Sequence, residues 1–154
     1  MALNPNATLA QAKEWLRRRV DDGERCPVCT QYAKVYRRAI HATIARTLIL
    51  AYRTHGRDWF HLATLTKTTG RGGEEGKLRY WGLLEEETER RPDGGRSGWW
   101  RVTDDGAAFV ERRSTVQKYA RIYDGRCLGL DGDFIGIEDA LGKKFNYDDL
   151  MRGI

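Results

Sequence analysis

The chain has 154 residues, 40% hydrophobic and 32% charged, with a formal net charge of +5; these are the proportions of a soluble globular protein of one domain with extensions. No run approaches the roughly 18 apolar residues of a membrane span, and the N-terminus lacks the basic-then-apolar pattern of a signal peptide. Three cysteines are too few, and odd in number, for a disulfide framework, so the expected setting is reducing and cytoplasmic.

The charge is unevenly spread. Residues 1–55 carry 10 Lys/Arg against 4 Asp/Glu, residues 56–113 carry 11 against 11, and residues 114–154 carry 6 against 7. The basic excess therefore sits in the N-terminal third, where an acidic partner such as nucleic acid would be drawn.

In chain order, residues 8–20 read as a helix. Thr8 can cap it, and Gln11 stands at the capping-box spacing. Leu9, Ala12, Leu16 and Val20 form its apolar stripe, and Asp21-Asp22-Gly23 ends it. Cys26-Pro27-Val28-Cys29 then makes a tight connection. A second helix is expected over 31–55, because Ile40, Ile44, Leu48 and Tyr52 recur every four residues and Gly56 supplies a stop. It leaves Arg37, Arg38, Arg46 and Arg53 facing water or a partner.

Trp59-Phe60-His61-Leu62 reads as a short strand or a helix entry, and 64–73 as a turn around at most a short helix. Residues 74–81 are helical again, with Leu78 and Trp81 inward and Gly82 as the end. Leu83 and Leu84 lead into a strand, 90–98 form a glycine-rich hairpin loop, and 99–103 return as a strand. Thr103 caps a helix that runs to Val110. Beyond it, 119–123 and 126–130 flank Asp124-Gly125, a hairpin dipeptide. Asp131-Gly132 reads as a second turn before a short strand at 134–137. Short helices at 138–141 and 147–151 close the chain.

Two stretches carry a resemblance. Lys77-Leu78-Arg79-Tyr80-Trp81-Gly82-Leu83-Leu84-Glu85, then a loop, then Gly98-Trp99-Trp100-Arg101-Val102-Thr103-Asp104-Asp105-Gly106, resembles the helix end, wing and following helix of winged helix-turn-helix proteins of the MarR and PadR kind. The likeness implies a winged helix-turn-helix core over 34–113; with the N-terminal helix and cysteine connection over 1–33 and the small C-terminal β-hairpin and short-helix appendage over 114–154 read from the residues, the expected fold is α+β. The whole chain also resembles a family of uncharacterised bacteriophage proteins, through Cys26 to Cys29, Lys77 to Leu83 and Ile122 to Gly125. That implies a phage origin and no particular activity.

A winged helix would offer Arg71, Lys77 and Arg79 to a major groove, and Arg90, Arg91 and Arg96 to a minor groove or phosphates. Glu74 and Glu75 oppose such a contact, as does the neutral charge of 56–113. Arg17, Arg18, Arg37 and Arg38 would supply the missing charge. The first expectation is therefore a transcription regulator that binds double-stranded DNA, with a homodimer as one arrangement. The alternative is a non-enzymatic adaptor or inhibitor that docks on a host or phage protein through the same scaffold.

Cys26 and Cys29 have the spacing of half a zinc site; the other reading is a pair of buried thiols at a helix entry. His41 follows Cys29 at close to a finger spacing but lacks a second histidine near it. A redox role would call for a strand–Cys-x-x-Cys–helix context, which the sequence does not present. His55 reads as a cation at a helix end, and His61 as packed among aromatics. Asp131 and Asp133 lack the further ligands of a calcium loop. No phosphate loop, His-Glu-x-x-His or nucleophile elbow appears, so no enzyme activity and no cofactor other than zinc are expected.

Overall fold

A computed structural model describes residues 2–61, 63, 64, 75–89, 92 and 98–153. The chain divides into two compact units, residues 1–38 with 121–129, and residues 39–120 with 130–154.

The first unit begins with α1, Leu9–Arg17. The Thr8 hydroxyl accepts the Gln11 amide at 3.2 Å, and the Gln11 side chain accepts the Thr8 amide at 2.8 Å, which completes the expected capping box. Of the apolar stripe only Ala12 is buried. Next, β1 (Glu24–Arg25) pairs antiparallel with β2 (Tyr32–Ala33), Glu24 facing Ala33 and Arg25 facing Tyr32. Gly23 sits at φ +91°, and a side chain there would strike the Tyr32 hydroxyl.

The helix expected over 31–55 is corrected here. Its first third is extended, as β2 and then β3 (Tyr36–Ala39), and α2 begins only at Ala42. The reason is a period of two. Over 32–36, Ala33 and Val35 are buried while Tyr32 and Tyr36 are exposed, the alternation of an extended chain with one covered face; Arg37 and Arg38 of β3 are both exposed. The Val35 amide donates to the Val20 carbonyl at 2.8 Å. Arg37 and Arg38 thus lie on a strand and not on a helix.

Strands β3, β7 (Val116–Tyr123) and β8 (Arg126–Ile135) form a sheet in the order β3-β7-β8. Asp124 and Gly125 join β7 to β8 with φ +50° and +73°, both positive as a tight type I′ hairpin demands. Asp131-Gly132 is not a second turn but lies inside β8. Gly132, at φ +89°, passes beside the Tyr119 ring, where a Cβ would come within 2.7 Å; strand pairing there overrides turn propensity.

The second unit is built on α2, Ala42–His55. Ile44, Ala45, Leu48, Ile49 and Ala51 are fully buried along it. Against α2 pack a 3-10 helix (Glu75–Trp81), α3 (Asp104–Val110), α4 (Ile137–Leu141) and α5 (Tyr147–Arg152). Leu78 and Trp81 of the 3-10 helix point inward as expected. Strands β4 (Phe60–His61), β5 (Leu84–Glu86) and β6 (Trp99–Val102) make an antiparallel sheet in the order β4-β6-β5. Leu84 faces Val102 and Glu86 faces Trp100, which places Leu84, Trp100 and Val102 on the buried face, while Glu85 faces Arg101 on the other.

One threonine ties these parts together. The Thr103 hydroxyl accepts the Gly106 amide at 2.9 Å, capping α3, and donates to the Gly82 carbonyl at 2.5 Å. Gly82 has φ +71°, the left-handed turn that closes the 3-10 helix. Gly106 has no room for a side chain, since a Cβ would meet the Leu83 carbonyl. The C-terminal helices are fastened by Tyr147, whose hydroxyl donates to the Val110 carbonyl at 2.6 Å, and by Arg53, which donates to the Leu150 carbonyl at 3.0 Å. The protein is a mixed α+β fold with small antiparallel sheets. Among the described residues, no helix is long and apolar enough to cross a membrane.

Candidate nucleic-acid interface

The division into units sharpens the charge count. The first unit holds 10 Lys/Arg against 5 Asp/Glu, and the second holds 17 against 17. The whole formal charge of +5 therefore belongs to the first unit.

Tyr32 lies on β2, Tyr36 and Arg38 share one side of β3, and Lys34 sits between the two strands. The Lys34 ammonium lies 5.6 Å from the Tyr36 ring centroid and the Arg38 guanidinium 5.5 Å from it, within cation–π range. These four residues line a groove of about 510 Å³ whose other wall includes Ile122 and Tyr123, with Asp124 as the only carboxylate in the lining. Tyr32 is 57% exposed, Tyr36 50% and Tyr123 40%. Rings left in water beside cations are the surface on which unpaired bases stack.

The residues expected from the sequence fall unevenly. Arg17 and Arg18 both bond Glu14, each at 3.1 Å. Arg18's hydrogen bond, more than any other contact, holds the Glu14 carboxyl below the usual range. The exposed trio keeps one net positive charge. Arg37 is exposed on β3 and Arg38 lines the groove. Lys77 is half-buried on the 3-10 helix. Arg79 stands 4.0 Å from Glu86. Arg71, Arg90, Arg91 and Arg96, together with Glu74, lie outside the described residues, as do most of the turn expected at 64–73 and of the loop expected at 90–98.

A second concavity, about 530 Å³ in the second unit, is lined by Arg57, Arg79 and Arg101 and by Glu85, Glu86 and Asp104. Arg57 pairs with Asp104, and Arg101 with Glu85. Its cations are answered by carboxylates of the same unit, so its surface has little positive potential to offer phosphates. Sequence reading overlooked Tyr32, Lys34 and Tyr36. Their signal was the aromatic–basic alternation at spacing two, hidden beneath the four-residue period continuing from α2.

The two cysteines stand at the tip of the β1–β2 hairpin. The Cys26 sulfur accepts the Val28 amide at 3.4 Å and the Cys29 amide at 3.5 Å. Those donors, the Cys29 amide first, hold the Cys26 thiol below its ordinary range. The Cys26 amide donates to the Gln31 carbonyl at 2.7 Å, and the Thr30 amide to the Cys26 carbonyl at 2.9 Å. Thr30 has φ +68°, a left-handed conformation that a β-branched residue rarely adopts. Cys29 is exposed and a strand follows, so the reading of buried thiols at a helix entry is corrected. Among the described residues, no group of three or more His, Cys, Asp or Glu is placed to hold a metal ion.

His41 occupies the N-cap position of α2. His55 stacks on Phe60 at 4.7 Å, and its Nε2 is buried without a hydrogen-bond partner. Burial pushes its pKa down, so a neutral packed ring replaces the expected helix-end cation. His61 lies edge-on to Trp99 at 5.4 Å. Compared with family models, with curated proteins and with solved structures, the chain matches none.

Proposed function

We propose that this protein binds nucleic acid and that the first unit makes the contact. The observation that carries the reading is the groove lined together by Tyr32, Lys34, Tyr36 and Arg38, in the unit that holds all the net charge. Bases stack on the rings, and phosphates meet Lys34 and Arg38, with Arg37, Arg17 and Arg18 adding to the attraction. Duplex bases are already stacked on one another, so the groove favours single-stranded over double-stranded nucleic acid.

The second unit we read as a winged helix. In its support stand the order of helix, short strand, 3-10 helix, strand, strand and helix, and the sheet order β4-β6-β5. In such a unit Lys77 and Arg79 would face duplex DNA, but the ion pairs of Arg57, Arg79 and Arg101 weaken that contact. A protein-docking role for this unit is favoured by its neutral charge and by the exposed Trp59 and Trp99.

The test is fluorescence anisotropy with a labelled single strand and with its duplex over rising salt. The single strand should bind more tightly, with affinity falling steeply as salt rises. Tyr32→Ala and Tyr36→Ala should each cost about 1–3 kcal/mol, roughly 5- to 150-fold in affinity. Binding that is absent or indifferent to salt overturns the proposal. Tighter binding of the duplex, lost in Arg79→Gln alone, would move the contact to the second unit.

A further inference from the structure

We propose that Cys26 and Cys29 form one half of a four-thiolate zinc site, completed by the same pair on a second copy of this chain. Two thiolates two residues apart can grip one tetrahedral ion. The hairpin shapes them for it, because the Val28 and Cys29 amides already point at the Cys26 sulfur. Amide donors aimed at a sulfur favour its anionic, metal-binding form. The loop pays for this shape in backbone strain at Thr30, which is fixed by its amide bond to the Cys26 carbonyl and its hydroxyl bond to the Cys29 carbonyl at 2.6 Å.

The proposal takes the two further thiolates from another molecule, since Cys127, the third cysteine of the first unit, does not join the pair to make a group of three. The first unit holds no histidine, and the chain's three histidines lie in the second. The tip is open to a partner, with Val28 58% exposed and Cys29 exposed beside it. An identical pair related by a two-fold axis is self-complementary and closes the assembly at two chains.

Charge and core size point the same way. Four thiolates on a divalent ion leave a formal charge of −2, and Arg25 of each copy, next to Cys26, supplies the two matching cations. Its guanidinium is held by the Thr30 carbonyl at 3.1 Å. The apolar residues buried in the first unit, among those described, are Ala12, Ala33 and Val35. So small a core is the kind that metals commonly staple. Binding involves no redox change. Each of four thiols releases its proton to solvent as a sulfur–zinc bond of about 2.3 Å forms.

The experiment takes the full chain, kept reduced and stripped of metal, and titrates it with zinc while mass is followed by sedimentation. One zinc per two chains should bind, with mass doubling and returning to monomer on chelation. Cobalt in place of zinc should give the intense visible absorption of a tetrahedral thiolate site in the unaltered protein, a readout that needs no variant to fold. Cys26→Ser and Cys29→Ser should each abolish the doubling, and Cys127→Ser should leave it intact. One metal per monomer, no metal at all, a dimer indifferent to chelator, or loss of the site in Cys127→Ser would each overturn the proposal. None of these outcomes depends on whether nucleic acid binds.

Discussion

The first unit and the second use the same kinds of side chain in opposite ways. In the second, Phe60, Trp81, Trp100 and Phe109 are inside, and Arg57, Arg79 and Arg101 are matched by nearby carboxylates. In the first, Tyr32, Tyr36 and Tyr123 stay largely in water beside Lys34 and Arg38, and only small apolar residues are covered. Rings without a core to enter are available for a ligand, and cations without enough acids nearby attract one. The contrast teaches that apolar burial is concentrated in the second unit, while the first leaves its rings and cations at the surface, where a proposed recognition role would need them.

The contrast is most strongly tested in the core. Leu48, fully buried on α2, should lose about 2–5 kcal/mol of stability as Leu48→Ala, measured by urea unfolding. Tyr32→Ala, on an exposed strand face, should stay within about 0.5 kcal/mol. If the two cost the same, the tyrosines of the first unit are core residues and the contrast fails.

Charge gives the next largest effect. Lys34→Gln with Arg38→Gln should weaken single-strand binding and lower its salt slope by about 0.7 for each phosphate no longer neutralised. Arg79→Gln with Arg101→Gln should leave both affinity and slope nearly unchanged, because those cations are already engaged. Equal weakening by the two pairs would mean that both units bind the strand.

The smallest effect is a pH dependence set by His55. Its folded pKa lies below the ordinary 6.5 because burial disfavours the charged ring. The folded state then binds fewer protons than the unfolded one between the two values, so stability rises with pH across that window. The His55 contribution is full above the unfolded pKa and declines as pH falls through 6.5 toward the folded value. Urea midpoints measured from pH 7.5 down to about 5 should fall more for the native protein than for His55→Phe; parallel curves would show that the ring is solvated.

Much of the fold was legible because its signals are short-range. The capping box at Thr8 and Gln11, the turn at Asp124-Gly125, the glycine end at Gly82 and the cap at Thr103 each involve a few neighbouring residues. The candidate groove was less legible. Residues 32–36 carry a period of two, but the four-residue period from Ile40 to Tyr52 runs close to them, and periodicity alone does not say where one gives way to the other.

By itself, then, the sequence determined the capped helices, the hairpin turn, the two strands before Thr103 and the basic excess of its N-terminal third. Only the tertiary structure decided that β2 and β3 take the place of a helix between Tyr32 and Ala39, that Asp131-Gly132 lies inside a strand, and that Arg57, Arg79 and Arg101 stand against carboxylates. The reason is distance along the chain. Caps and turns close within a few residues, whereas Arg57 meets Asp104 across 47 positions and Arg101 meets Glu85 across 16. Such pairings exist only once the chain has folded.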